Sequence, residues 1–84
     1  MDTLRRLGFS VQSLSRVGGG VPDLLVARGG QTYLVEAKTP GTYYGNAVNA
    51  RQARWAATWN APVVVLRTVE EATAWGIARQ AERG

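Results

Sequence analysis

Three residues have the types and spacing for hydrolytic chemistry: Asp23, Glu36 and Lys38. Asp23 precedes the apolar run Leu24-Leu25-Val26-Ala27, Glu36 follows Tyr33-Leu34-Val35, and Arg28-Gly29-Gly30-Gln31 joins the two runs. Glycine supplies the positive φ that tight hairpin turns demand, so the runs read as a β-hairpin. With a two-residue loop at Gly29-Gly30, Arg28 faces Gln31, paired residue numbers sum to 59, and Asp23 stands opposite Glu36. A four-residue loop gives the same pairing, whereas a three-residue loop turns Asp23 away. Facing residues on one side of an antiparallel pair have Cβ atoms about 4.5–5.5 Å apart. Lys38, two residues past Glu36, falls on the same face by the strand period.

Two adjacent carboxylates repel unless something positive lies between them. Lys38 is one candidate. A hard divalent cation is the other, because Mg²⁺ and Mn²⁺ take oxygen ligands and keep positions for water and phosphate. Such an ion lowers the pKa of bound water and stabilises charge building on phosphorus. A lysine beside it orients or deprotonates that water.

The rest of the composition narrows the chemistry further. The chain has no cysteine and no histidine. That removes disulfides, thiolate zinc sites, iron–sulfur clusters, imidazole bases and serine–histidine triads. Ten basic residues against six acidic ones give a formal charge of +4, with an isoelectric point near 10.4. A basic balance of this kind points to phosphate-rich partners, of which nucleic acid is the commonest. Lys38 is the only lysine among those ten cations.

The elements that must hold these residues fit one small domain spanning residues 1–84. A domain of this size buries only roughly 60% of its unfolded surface, so self-association would add stability. Asp2 or Thr3 caps a short first helix with Leu4 and Leu7 inward and Gly8 as its stop. Phe9 to Arg16 reads as a strand, broken by Gly18-Gly19-Gly20. The hairpin strands are apolar on both faces and therefore central. From about Val48 to Trp59, the spacing of Gln52, Trp55, Ala56 and Trp59 makes one helix face. Val63 to Leu66 is a β-branched buried strand. Thr68-Val69-Glu70-Glu71 has capping-box spacing and opens a final helix with Val69, Ala72 and Trp75 inward. The expected architecture is α/β, order α-β-β-β-α-β-α, with a mixed central sheet flanked by helices. No apolar run reaches the roughly 20 residues of a membrane helix, and no secretory-signal pattern opens the chain. A soluble, intracellular protein of the bacterial cytoplasm or a phage-infected host is expected.

Gly20-Val21-Pro22-Asp23 followed by Glu36-Ala37-Lys38 resembles the PD-(D/E)XK nuclease signature. Val17 to Pro40, with Gln52 in the next helix, is similar to its VRR-NUC branch, and small stand-alone phage-type members are nearest. The resemblance covers nearly the whole chain and implies the restriction-endonuclease-like core. It also implies that Asp23, Glu36 and the backbone carbonyl of Ala37 hold Mg²⁺ or Mn²⁺. Lys38 would be the catalytic lysine, and Gln52 would sit near the scissile phosphate. The implied reaction is DNA phosphodiester hydrolysis to a 5′-phosphate and a 3′-hydroxyl. Structured or branched DNA, including Holliday-junction-like DNA, is the expected substrate, and a twofold homodimer is expected because cutting both strands of a junction needs two sites. The family's first-helix acidic residue has only Asp2 as a counterpart, and Gly41 to Arg51 departs from the family pattern.

Other signals are weaker. Gly19 and Gly20 let backbone approach DNA, and Tyr43 and Tyr44 in the next loop are placed to stack on a base or pack across a dimer. Arg5, Arg6, Arg16, Arg51 and Arg54 are candidate phosphate contacts, while Arg79 and Arg83 read as solvated helix charges. Trp55, Trp59 and Trp75 read as core. No organic cofactor is implied. The rival readings are a catalytically silent DNA-binding module with this fold and an interaction protein whose two carboxylates merely pair with Lys38.

Overall fold

The structure is a computed structural model that describes residues 2–37 and 45–82. Lys38, Tyr43, Tyr44 and Arg83 lie outside the described residues. The elements run α1 (Asp2–Arg6), β1 (Ser10–Ser13), β2 (Leu24–Arg28), β3 (Gln31–Ala37), α2 (Gly45–Thr58), β4 (Val63–Leu66) and α3 (Val69–Ala81). This is the α-β-β-β-α-β-α order read from the sequence. The strands form one mixed sheet in the order β1-β2-β3-β4, antiparallel except for the parallel β3–β4 pair. The connection from β3 to the parallel β4 passes through α2, as a parallel pair requires.

Hairpin register follows from its turn. Gly29 (φ 61°) and Gly30 (φ 80°) both take positive φ, as a two-residue type I′ loop demands. Arg28 accordingly pairs with Gln31 and Leu24 with Val35. Each pair sums to 59.

Strand alternation then divides the sheet into two faces. Val26, Val35 and Leu66 point to one face and form the core with Leu4 of α1, Phe9 and Ala72 of α3. Trp75 packs beside this core, with ring centroids 5.4 Å from Phe9 and 5.0 Å from Tyr33. Gly76 lets α1 approach α3 closely: a Cβ there would sit 2.6 Å from Leu7 Cδ1. Gln80 Nε2 donates to the Leu7 carbonyl at 2.6 Å, satisfying backbone just beyond the end of α1.

Several expectations need correction. β1 is only Ser10–Ser13, because Leu14 to Arg16 enter a turn closed by the Val17 N–H on the Leu14 carbonyl. Val69 is 64% exposed, since it occupies the first position of α3, before the helix reaches the core. Trp59 is 48% exposed and stacks on Trp55 at 4.8 Å near the end of α2. Arg79 is not a free helix charge: it lies 5.6 Å over the Trp75 ring and pairs with Glu82 at 2.9 Å. Thr68 caps α3 by accepting the Glu71 N–H at 3.0 Å, but Glu71 reaches back to the Arg67 N–H rather than to the cap residue. Among the described residues no helix is long and apolar enough to cross a membrane.

Candidate metal centre and cleft

The opposite face of the sheet carries the carboxylates. The β2–β3 ladder closes at Leu24–Val35, and Asp23 and Glu36 are the next residues along. Asp23 is fixed from both sides. Its carbonyl accepts the Leu14 N–H at 2.7 Å, continuing the β1–β2 ladder, and its Oδ2 accepts the Ala37 N–H at 3.3 Å. Glu36 lies beside Val65 of β4 and is only 3% exposed. Burying a carboxylate this deeply is expensive unless hydrogen bonds or a cation meet it.

The loop from Leu14 to Asp23 crosses toward α2. Gly20 (φ +87°) is what permits the approach: a Cβ there would stand 2.5 Å from the Arg51 carbonyl oxygen. This contact sets Arg51 and Gln52 beside the carboxylate edge. Two clefts result. One, of about 290 Å³, is the more polar of the two, and it runs past Gly18, Gly19, Asp23, Arg51 and Gln52. The other, of about 300 Å³, lies between α2 and the sheet, with Ala53 and Ala56 on one side and Val63 and Val65 on the other. Glu36 and Gln52 are its polar lining, and Gly20 and Gln52 belong to both clefts. Gln52 Oε1 is buried and meets no donor among the described residues.

No family model matches the chain, and no curated protein or solved structure matches it.

Of the residues picked from the sequence, Asp23, Glu36, Ala37, Gln52, Gly19, Gly20 and Arg51 come together around these clefts. Arg16 and Arg54 are exposed and line neither cleft. Arg5 pairs with Asp2 at 3.4 Å on α1, which packs on the core face of the sheet, so neither it nor its neighbour Arg6 shares the carboxylate face. That placement also removes Asp2 as a third acidic ligand. Among the described residues no group of three acidic, histidine or cysteine side chains gathers at one point. Sequence reasoning missed Ser15, Pro22, Ala53 and Ala56 as cleft residues. Small apolar side chains carry no chemical signal, and only the packing of α2 on the sheet reveals them.

The donor set fits a hard divalent ion. Asp23, just before β2, and Glu36, in β3, could each supply a carboxylate oxygen, and Ala37 could add its backbone carbonyl. Mg²⁺ is ordinarily held by only one or two carboxylates, completed by water and substrate phosphate.

Proposed function

We propose that the chain is a divalent-metal-dependent DNA endonuclease of the PD-(D/E)XK type, similar to the VRR-NUC branch and acting on branched or structured DNA. The observation that carries this reading is the Asp23 carboxylate, bound to the Ala37 N–H next to the buried Glu36, beside two adjoining clefts that hold Arg51, the glycine loop and Gln52. Asp23, Glu36 and the Ala37 carbonyl would hold Mg²⁺ or Mn²⁺, which supplies Lewis-acid stabilisation of the phosphoryl oxygens and a more acidic water. The residues of the chain do the positioning. Arg51 and the backbone of Gly18 to Gly20 receive phosphates of the strand, and the Gln52 amide orients groups near the scissile phosphate. Lys38 follows Glu36 at a spacing suited to taking a proton from the attacking water. Water oxygen bonds to phosphorus, the bond to the 3′ oxygen breaks, and the departing oxygen is protonated to give the 3′-hydroxyl and a 5′-phosphate.

A panel of Holliday junctions, flaps and linear duplexes, incubated with and without Mn²⁺, tests this reading. Metal-dependent nicking should be abolished by Glu36→Ala and by Lys38→Ala while DNA binding survives. A wild-type protein that cuts none of the panel sinks the nuclease reading. The silent DNA-binding module remains the second reading, and one observation favours it: with Asp2 on the other face, the described site has two carboxylates rather than three.

A homodimer in the cytoplasm completes the proposal, since paired cuts at a junction need two sites. Sedimentation at tens of micromolar should give about twice the 9.1 kDa chain mass. A monomer at that concentration removes the dimer.

A further inference from the structure

The two clefts differ in chemistry but share residues. The first presents Arg51, Asp23 and three consecutive glycines to solvent, as suits the charged sugar–phosphate backbone of a nucleic acid. The second is walled by Ala53, Ala56, Val63 and Val65, and at about 300 Å³ it stands at the small end of the range for ligand pockets, roughly 300–1,000 Å³. Its lining contains no aromatic ring among the described residues. At its junction with the first cleft lies Gln52, whose buried Oε1 meets no donor among the described residues and can accept an N–H or O–H from a ligand in the cleft.

A group that suits this pocket is flat, largely apolar on its faces, and carries a hydrogen-bond donor on its edge. It must also be tethered to a phosphate within reach of the neighbouring polar cleft. A nucleobase meets all of these conditions, and proteins that accept an extruded base hold it in such a way, between apolar side chains with its edge hydrogen-bonded. The formal charge of +4 complements the strand to which that base belongs.

We propose that the cleft between α2 and the sheet receives a single unstacked base flanking the bound phosphate, read by Gln52 Oε1 through a base amino or imino hydrogen. The inference rests on the DNA-binding reading above and narrows its substrate class: the preferred DNA has an unpaired or easily unpaired nucleotide at the site, as at a branch point, and a fully stacked duplex is disfavoured.

The test uses the full chain with a DNA junction carrying 2-aminopurine at the branch nucleotide, in Ca²⁺ to hold the DNA uncut. This base is quenched when stacked between its neighbours and brightens when it leaves the stack for a pocket whose lining among the described residues holds no aromatic ring. Binding, followed separately by anisotropy, should bring a several-fold fluorescence rise, and affinity should be several-fold higher than for a fully paired duplex of the same sequence. Ala56→Phe, which fills the pocket, and Gln52→Met, which removes the acceptor while keeping the side chain's length, should each abolish the rise and the preference. Circular dichroism verifies their folding, and the Gln52 variant decides alone if Ala56→Phe does not fold. Bound DNA without a fluorescence rise, or a rise unchanged in a folded variant, overturns the inference. Metal-dependent cleavage alongside either result leaves the nuclease reading standing. No DNA binding at all overturns both.

Discussion

The side chain of Asp23 is anchored to the backbone of Ala37, whose N–H it accepts through Oδ2 at 3.3 Å. The same bond joins the residue before β2 to the last residue of β3, which follows the buried Glu36. The position of the first carboxylate is thus set by the sheet ladder, independently of any ion. Its second oxygen remains available to a cation or a water.

This geometry separates the charge of Asp23 from its structural role. Asn at position 23 keeps an acceptor for the Ala37 N–H but no anionic oxygen, whereas Ala keeps neither. Mn²⁺ binding heat measured by calorimetry should vanish in both Asp23→Asn and Asp23→Ala. Stability should separate them, with Ala lower than Asn by about 0.5–1.5 kcal/mol, the net value of one hydrogen bond. Undiminished Mn²⁺ heat in the Asn variant rules this carboxylate out as a ligand.

Gly20 joins the loop to α2, and Gly19 beside it does not. Both have positive φ, but a Cβ at Gly19 meets open space while one at Gly20 meets the Arg51 carbonyl. Gly19→Ala should cost about 1–2 kcal/mol, the ordinary penalty for a side chain in the left-handed region. Gly20→Ala should cost more in urea denaturation and should also weaken DNA binding, because the loop must move away from Arg51 and Gln52. Equal losses from the two substitutions would falsify the contact.

Most of this arrangement was legible in the sequence because it depends on short-range rules. Gly29-Gly30 determines the hairpin register, and register brings Asp23 to the Ala37 end of β3. Thr68 announces the start of α3 by its side-chain oxygen alone. What was not legible depends on how elements meet. Trp59 has helical spacing from Gln52 and Trp55, yet it lies just past the end of α2 and is half exposed. Asp2 had the right charge for a third ligand but is carried by α1 to the core face, which no local pattern encodes. The pocket behind Glu36 is walled by Ala56, Val63 and Val65, which read as ordinary core, and by Ala53, which carries no signal.

The packing of α1 on α3 gives a prediction of opposite signs in two backgrounds. Alanine at Gly76 gains helix propensity worth about 1 kcal/mol. In the wild-type chain its Cβ would press into Leu7 Cδ1, and overpacking typically costs about 1–3 kcal/mol. Gly76→Ala should therefore lower stability by itself and raise it in a Leu7→Ala background. Thermal denaturation of the four proteins in the cycle checks this, and strict additivity refutes it.

Thr68→Ala removes the side-chain acceptor of the Glu71 N–H at the start of α3. The expected loss is about 1 kcal/mol, the usual value of such a cap. In a domain of this size that lowers the melting temperature by roughly 4–8 °C. Since α3 covers the core face and not the carboxylates, Mn²⁺ binding measured well below the melting transition should be unchanged. A parallel loss of metal binding would show that the two faces of the sheet are coupled.

Arg51 and Arg54 are both exposed, yet only Arg51 lines the polar cleft with Asp23 and the glycine loop. Each phosphate neutralised on duplex DNA releases counterions and adds about 0.9 to the slope of log affinity against log salt. Arg51→Ala should lower the magnitude of that slope by about 1 and weaken binding similarly across DNA sequences if, as proposed, it meets a phosphate and no base edge. Arg54→Ala should leave the slope nearly unchanged. The comparison is made by anisotropy titration of one junction at several salt concentrations. A slope that falls for Arg54 and not for Arg51 would move the DNA path off this cleft.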